Sequence, residues 1–472
     1  AGPLSGSQLI FSGSQLPARK RKETQGHRRH RRRSLLAQSH RRHLLVPYRR
    51  ILQLGSCPVM TTAVMVQVGQ CGNQVGTRFL EREANENFFL VDSAGRRVAR
   101  AVMVDTEPRC VGSACGTSWN EQDGLWQYDS RYRICVGSGQ GGGNNWAKGY
   151  FISGTELDLV EEAICREVEK CDRLATVWTL ASASGGTGSG LGCALADCLD
   201  NVLGCSVHVM HGMILSGCQR EDVAVGPFNA TLAFANLLDA NRRRTSVLML
   251  NSDETRRSKV LGMKHDTDSR VHFAHKPTID DINKELCASS LRPLVDVGFA
   301  ALDYVASHPN FRLLSVTSTD VSCQEKRMCL FRQHHGLQIC IPDFHKRRLT
   351  AAMRAKRANR AVFAIGGSFS SDMRMFCAVH PSLNVIRHSC EHLCVAPYSG
   401  KTQCTDVLSV VSNFDLRSDV AVLNDIVSKA LAMATAKVFL HHFESHGVYV
   451  ADIHYAIDVL RDVIGCYADR AL

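Results

Sequence analysis

Residues 184–190 read Ser-Gly-Gly-Thr-Gly-Ser-Gly, and the helix-compatible run Leu191-Gly-Cys-Ala-Leu-Ala-Asp-Cys-Leu199 follows at once. So little side-chain cover lets the backbone amides approach an anion closely, and the helix behind them adds its positive N-terminal dipole. The preceding residues Thr176-Val-Trp-Thr-Leu-Ala-Ser182 alternate as a strand. Strand, glycine loop and helix in that order make a phosphate cradle. No lysine follows the loop, and the glycine spacing is not Gly-x-Gly-x-x-Gly. Both the lysine-bearing phosphate loop and the dinucleotide fingerprint of a dehydrogenase are therefore excluded.

Four further segments frame the loop. Val64-Met-Val-Gln-Val-Gly-Gln-Cys-Gly-Asn-Gln-Val-Gly76 is an apolar strand running into a second glycine turn and a helix. Ala101-Val-Met-Val-Asp-Thr-Glu-Pro108 is a strand that ends on two carboxylates. Gly141-Gly-Gly-Asn-Asn-Trp-Ala-Lys-Gly149 is a third glycine loop, and Pro227-Phe-Asn-Ala-Thr-Leu232 lies downstream of the cradle. In order and in wording these five segments resemble the tubulin family, with Ser184 where that family has glycine. The resemblance is dense from Val64 to Leu232 and fainter through Pro277-Thr-Ile-Asp-Asp-Ile-Asn283 to the end.

The bulk numbers agree with a multi-domain globular protein. The chain has 472 residues, 44% of them hydrophobic and 21% charged, enough for two or three cores. No run of about eighteen apolar residues occurs, so no membrane-spanning helix and no membrane partner is expected. Many of the twenty cysteines lie in apolar runs, as Cys193, Cys198 and Cys205 do, and read as small buried hydrophobes of a reducing compartment.

The net charge of +11 is unevenly placed: residues 1–59 carry thirteen Lys or Arg against Glu23, or +12, leaving −1 for the rest. This leader, with Arg19-Lys-Arg-Lys22 and Arg28-Arg-His-Arg-Arg-Arg33, lacks core-forming residues and is expected to be disordered. It reads as a nucleic-acid or nuclear-import arm, a transit peptide, or an extension ahead of a natural start at Met60, the last being favoured. No nucleic-acid partner is expected of the remainder.

From Val64 to Leu250 strand-like runs (Val64–Val68, Ala101–Val104, Ala175–Leu180, Val207–Leu215, Ser246–Leu250) alternate with helical stretches such as Leu157–Cys171 and Leu191–Val202. This predicts an α/β domain over 60–270 with a parallel sheet covered on both faces, its ligand outside the carboxyl ends of the strands. Residues 271–418 hold a helix at Ile282–Leu291 and strands at Phe311–Thr317 and Ala361–Ile365. The resemblance implies a smaller mixed α/β intermediate domain there. Helical patterns at Asp419–His442 and Val450–Ala468 predict a C-terminal helical region over 419–472.

The residues themselves suggest a binding site, and the resemblance gives it a ligand, GTP with Mg2+. Gln70 and Cys71 stand in the first glycine turn. Asp105 and Glu107 end a strand, where two carboxylates suit a magnesium ion held mostly through water and nucleotide oxygens. Gly143, Asn144 and Asn145 offer a backbone turn and amide donors where the resemblance puts the gamma-phosphate. Ser184, Gly185, Gly186, Thr187, Gly188 and Ser189 form the cradle, with the Thr187 hydroxyl as an added donor. Asp222 is implied at the ribose and Asn229 at the base. Arg256 replaces an aromatic ring on the base, a place a guanidinium can also fill by stacking, and Gly226 replaces an acid of the ribose loop.

In this family a neighbouring subunit supplies an acid that positions the attacking water. The matching segment here is Val295–Tyr304, with Ala300 at that position and Asp296 and Asp303 beside it. The resemblance thus implies GTP binding but leaves hydrolysis open.

Local wording at Ala99–Asp105, Glu167–Asp172, His308–Val316 and Ile464–Tyr467 is most similar to the delta branch of the family, then to the zeta branch. That implies a cytoskeletal protein of centrioles, basal bodies and cilia, meeting other tubulins or centriolar microtubule proteins through longitudinal contacts, with a cytoplasmic and a nuclear pool both compatible. Two other readings stay open: a nucleotide-free scaffold with the same fold, and a self-assembling cooperative GTPase.

Overall fold

The strand β1 (Thr62–Val68), six of its seven residues buried, runs into Gly69 at φ +74°, where the chain turns into helix α1 (Gly69–Arg82). A left-handed φ at that point is cheap only for glycine. The structure, a computed structural model, describes residues 62–82, 86–115, 126–152, 154–203, 206–215, 223–242, 244–252, 255, 277–299, 302, 305, 306, 308–320, 331–333, 336–338, 362–367, 392–395, 407–413 and 417–471. The basic leader lies outside them.

After α1 come β2 (Phe89–Val91), β3 (Arg97–Ala99), the fully buried β4 (Ala101–Asp105), helix α2 (Pro108–Cys115), β5 (Gln127–Tyr128) and β6 (Arg133–Cys135). A short helix α3 (Trp146–Tyr150) and a long one, α4 (Gly154–Glu169), lead to β7 (Leu174–Ser182). A wide turn at Thr187–Leu191 opens α5 (Gly192–Leu203), followed by β8 (His208–Leu215), α6 (Gly226–Leu237) and β9 (Thr245–Asn251). The sequence periods placed β1, β4, β7, β8, β9, α4 and α5 within a few residues. Helix α6 is buried on every side, as its largely apolar run suits, and it carries a proline in its first turn.

Helices α7 (Ile279–Leu286) and α8 (Arg292–Val297) are joined by a second wide turn at Cys287–Leu291. Beyond them lie β10 (Leu313–Asp320), β11 (Phe331–Gln333), β12 (Gly336–Gln338), β13 (Val362–Gly367), β14 (His392–Val395) and β15 (Val407–Ser412). Helices α9 (Arg417–Thr435), α10 (Leu440–Glu444) and α11 (Val450–Ala471) finish the described chain.

The main sheet runs β14-β13-β15-β10-β9-β8-β7-β1-β4-β6. Its seven strands from β10 to β6 are mutually parallel, with Val66 beside Val102 on one side and Thr179 on the other. The smaller mixed part joins it through β10, parallel to β9 at Leu313 and Leu314 and antiparallel to β15 from Ser315 to Asp320. A strand read as part of the smaller sheet alone is thus shared by both. One face of the sheet carries a core in which Phe79, Phe88, Trp178 and Phe299 pack with ring centroids 5.1–5.8 Å apart. Helix α5 packs on β7, and α6 packs against α5, α9 and α11.

The helix expected over Asp419–His442 is two. Lys437 and Phe439 take left-handed φ values of 55° and 59°, and the Val438 N–H reaches back to Met433 O at 3.0 Å. This is a Schellman-type ending without its usual glycine, so composition gave no sign of it.

Candidate nucleotide-binding site

Every expected loop in the described residues gathers at the carboxyl ends of β1, β4, β6 and β7. The closeness is a matter of backbone volume. Gly69 faces Gly188, whose backbone nitrogen a methyl group at position 69 would meet at 3.2 Å. A methyl group on Gly186 would come within 2.5 Å of Asn145 N and 2.6 Å of Gly142 O, neither of which can move aside alone. Beside Gly185 there is no atom within 4 Å of that position, so the cradle is packed on one face and open on the other. The amides of Gly186, Thr187 and Gly188 lie in the first turn of their helix, where no intrahelical acceptor exists. Amides without an intrahelical acceptor are of the kind that suits an anion.

The carboxylates differ sharply. Asp105 is 3% exposed; its Oδ1 accepts from Thr106 N at 2.7 Å and Glu107 N at 3.1 Å, while its buried Oδ2 has no hydrogen-bond partner. Burial raises its pKa from 3.8 to about 6, against the pull of the Glu107 and Thr106 amides, with the Glu107 charge adding to the rise. Glu107 is exposed and lies over Gly141. A buried carboxylate oxygen without a donor, next to a solvent-facing second carboxylate, fits a hard cation that keeps most of its water. Among the described residues no group of three or more His, Cys, Asp or Glu could hold a metal by itself. Such an ion would need nucleotide oxygens to complete its shell.

Several side chains expected to meet the ligand are committed elsewhere. Asn229, read at the base, is 0% exposed and holds three backbone groups: its Nδ2 donates to Asn144 O and Ser184 O, both at 2.8 Å, and its Oδ1 accepts from Trp146 N at 2.9 Å. Both amide hydrogens are used within the protein, where the resemblance had implied a contact with the base. Thr187 turns its hydroxyl inward, 2.5 Å from Thr106 Oγ1 and accepting from Gly142 N at 3.2 Å. The fully buried Ser189 donates its hydroxyl to Gly185 O. Cys71 packs its thiol against the apolar core, and burial pushes that thiol up to about 11. For Thr187, Ser189 and Cys71 the contribution left to a ligand is backbone.

Gln70 stays exposed on the first turn of α1, and Asn144 is exposed in the third loop with φ 52°. Ser184 is half-buried, its Cβ 3.6 Å from where a methyl group on Gly226 would lie. Asp222 and Arg256 lie outside the described residues, as do Ala300 and Asp303.

Two residues of the site, Thr106 and Tyr150, carried no sequence signal of their own, and a third, Asn145, expected beside the gamma-phosphate, has its side chain in a helix cap. Thr106 sits between the two carboxylates and ties them to Thr187. Asn145 caps α3, accepting from Ala147 N at 2.9 Å, and donates to His442 O at 2.6 Å, which fixes the third loop to the C-terminal helices. Tyr150 stacks on Trp146 at 4.3 Å and donates to Asp197 of α5 at 2.7 Å. An Asn-Asn pair before an aromatic residue is a capping pattern, and that was the available clue for Asn145.

Comparison with known proteins places these loops in a family. The description "Tubulin/FtsZ family, GTPase domain" matches residues 62–252, which contain every loop above. The chain is 28% identical over 288 residues to the tubulin delta chain of Canis lupus familiaris, covering 54% of this chain and 60% of that one. The human tubulin delta chain is 28% identical over 284 residues, with the same shares covered. A tubulin beta chain of Porphyra purpurea is 33% identical over 207 residues, 38% of this chain and 42% of that protein. The chain spans about 60% of the length of the delta chains it matches.

Proposed function

We propose, from the place of this chain in the tubulin superfamily and its Tubulin/FtsZ-family GTPase domain at residues 62–252, that it binds GTP and Mg2+ as a delta-type cytoskeletal subunit. The observation that carries the reading is the joint presence of a glycine cradle that is open beside Gly185 and the buried oxygen of Asp105 without a hydrogen-bond partner. The first suits phosphate, the second a cation, and both needs are met at once by a magnesium nucleotide.

Within that site Gly185 leaves room for phosphate, the Gly186–Gly188 amides bind it, and Gln70 and Asn144 border it. Asp105 and Glu107 hold the ion from opposite degrees of burial. Magnesium would neutralise phosphate charge and remove the cost of keeping Asp105 ionised. None of the described residues is assigned to water activation, so binding rather than turnover is the activity proposed. The relatives named tubulin delta chain support a role in the assembly or upkeep of centriolar and basal-body triplet microtubules, with other tubulins as longitudinal partners.

The test is GTP binding by the purified chain, with and without magnesium, beside an Asp105→Ala, Glu107→Ala double variant. Guanine-selective, magnesium-dependent binding lost in the variant is the expected result. Well-folded protein that binds no nucleotide would reject it and favour the nucleotide-free scaffold.

A further inference from the structure

We infer that Asn229 is the positioning residue that fixes the third loop against the phosphate cradle, and so sets how strongly the site prefers a triphosphate over a diphosphate. The inference rests on the GTP-binding reading above.

Its basis is the division of labour in one side chain. Two of the three hydrogen bonds of Asn229 fall on the third loop, at Asn144 O and Trp146 N; the third falls on Ser184 O, the first residue of the cradle. No water is needed to complete the arrangement, because one carboxamide oxygen and two N–H groups match one donor and two acceptors. The cradle has other anchors: Thr187 to Thr106, Gly188 pressed on Ser182, and Ser189 closed on Gly185. The exposed, left-handed Asn144 has its carbonyl held by Asn229. The third loop is also held at Gly142, whose amide donates to Thr187 Oγ1, and at Asn145, which donates to His442 O. What removing the carboxamide frees is therefore the Asn144 carbonyl and the Trp146 amide, and with them the exposed Gly143–Asn144 edge between those anchors. If that edge meets the terminal phosphate, the variant loses triphosphate binding selectively.

Calorimetric titration of the full chain with GTP and with GDP, both with magnesium, tests this. Asn229→Ala is expected to weaken GTP by about tenfold or more while GDP changes by under about threefold, the scale of losing buried hydrogen bonds at one edge only. Asn229→Asp supplies a second readout. Ionised, it sets a carboxylate oxygen against two carbonyls; protonated, its hydroxyl donates to one of them. Its GTP-to-GDP preference, relative to the parent at the same pH, should recover between pH 8 and pH 5.5. A folded Asn229→Ala with an unchanged preference, or an Asn229→Asp whose relative preference ignores pH, overturns the inference. Failure of both variants to fold under saturating GTP overturns it too, by making Asn229 a folding residue alone. A parent chain that binds neither nucleotide rejects instead the function on which the inference rests.

Discussion

Replacing Asp105 with asparagine should make the nucleotide-free protein more stable at neutral pH while weakening its magnesium nucleotide complex. The carboxyl pKa stands near 6 against 3.8 in the unfolded chain. That difference of about 2 corresponds to about 3 kcal/mol, at ~1.4 kcal/mol for each pH unit. The sign follows from which state holds the proton. Below pH ~4 both states are protonated and no penalty exists. Between about 4 and 6 the unfolded chain gives up its proton while the folded one keeps it, so stability falls as pH rises. Above about 6 the folded protein carries an ionised, buried carboxylate and the whole penalty.

In the Asp105→Asn variant the carboxamide oxygen can still accept from Thr106 N and Glu107 N, but an amide nitrogen then stands where Oδ2 had no partner. A buried amide without an acceptor costs about 1–2 kcal/mol of the gain. The expected net stabilisation is therefore about 1–2 kcal/mol at pH 7.5, shrinking and then reversing toward pH 4. Urea unfolding of parent and variant at pH 4, 5, 6, 7 and 8 measures it. Magnesium with GTP should then stabilise the parent more than the variant, because a ligand stabilises in proportion to its occupancy of the folded state. A stability difference that stays flat from pH 4 to 8 would refute the argument, since it would mean that Asp105 is already ionised without strain.

Four other outcomes follow from the same geometry. Gly186→Ala should cost about 1–3 kcal/mol and abolish GTP binding, because its methyl group meets backbone at 2.5 and 2.6 Å, whereas Gly185→Ala, with nothing within 4 Å, should unfold like the parent; thermal melts and GTP titration compare them. Thr187→Val should cost about 1–2 kcal/mol through the buried Thr106 and Gly142 partners, and a loss confined to nucleotide affinity would show the hydroxyl facing ligand instead. Asn145→Ala removes a helix cap and the bond to His442 O, so about 1–2 kcal/mol should go, with faster hydrogen exchange at α10 as the local readout. His211 is buried and hydrogen-bonded to Thr179, and desolvation, then the Arg242 charge, depress its pKa well below 6.5. The unfolded chain takes the proton first, so His211 lowers stability as pH falls below about 6.5, and a His211→Gln variant should show a shallower acid limb.

The architecture was legible because it is written in periods. Val64–Val68 and Ala175–Leu180 are mostly apolar runs, which fits strands buried on both faces, and the actual strands extend them by one or two residues. What escaped notice has a common cause in backbone conformation. The break between α9 and α10 uses Lys437 and Phe439 in a region where glycine is the usual sign. The sharing of β10 is also unreadable in composition: the strand passes from Leu313 and Leu314 beside β9 to a mostly Ser and Thr stretch beside β15, and neither half names its partner.

The site was legible in place but not in role, and Asn229 shows why. A carboxamide near glycine loops suits a purine base edge as well as it suits a loop carbonyl, since both present donors and acceptors at the same distance. Burial separates the two cases. A side chain at 0% exposure with both N–H groups spent on backbone carbonyls has no donor left for a ligand, whereas Asp105, almost as buried, keeps one oxygen without a hydrogen-bond partner. The loops therefore assemble as backbone held by inward-turned polar side chains, and the groups left over at the surface of that knot are amides, one carboxylate oxygen and the exposed Glu107. Amides select for anions and carboxylates for cations, so the remainder describes a charge-paired ligand without reference to any base. Discrimination of guanine must then come from the chain beyond this knot, and a triphosphate lacking its base should still bind with magnesium. Inorganic triphosphate that displaces GTP competitively is the expected result; failure to compete at millimolar concentration would show that the amide edge alone is not enough.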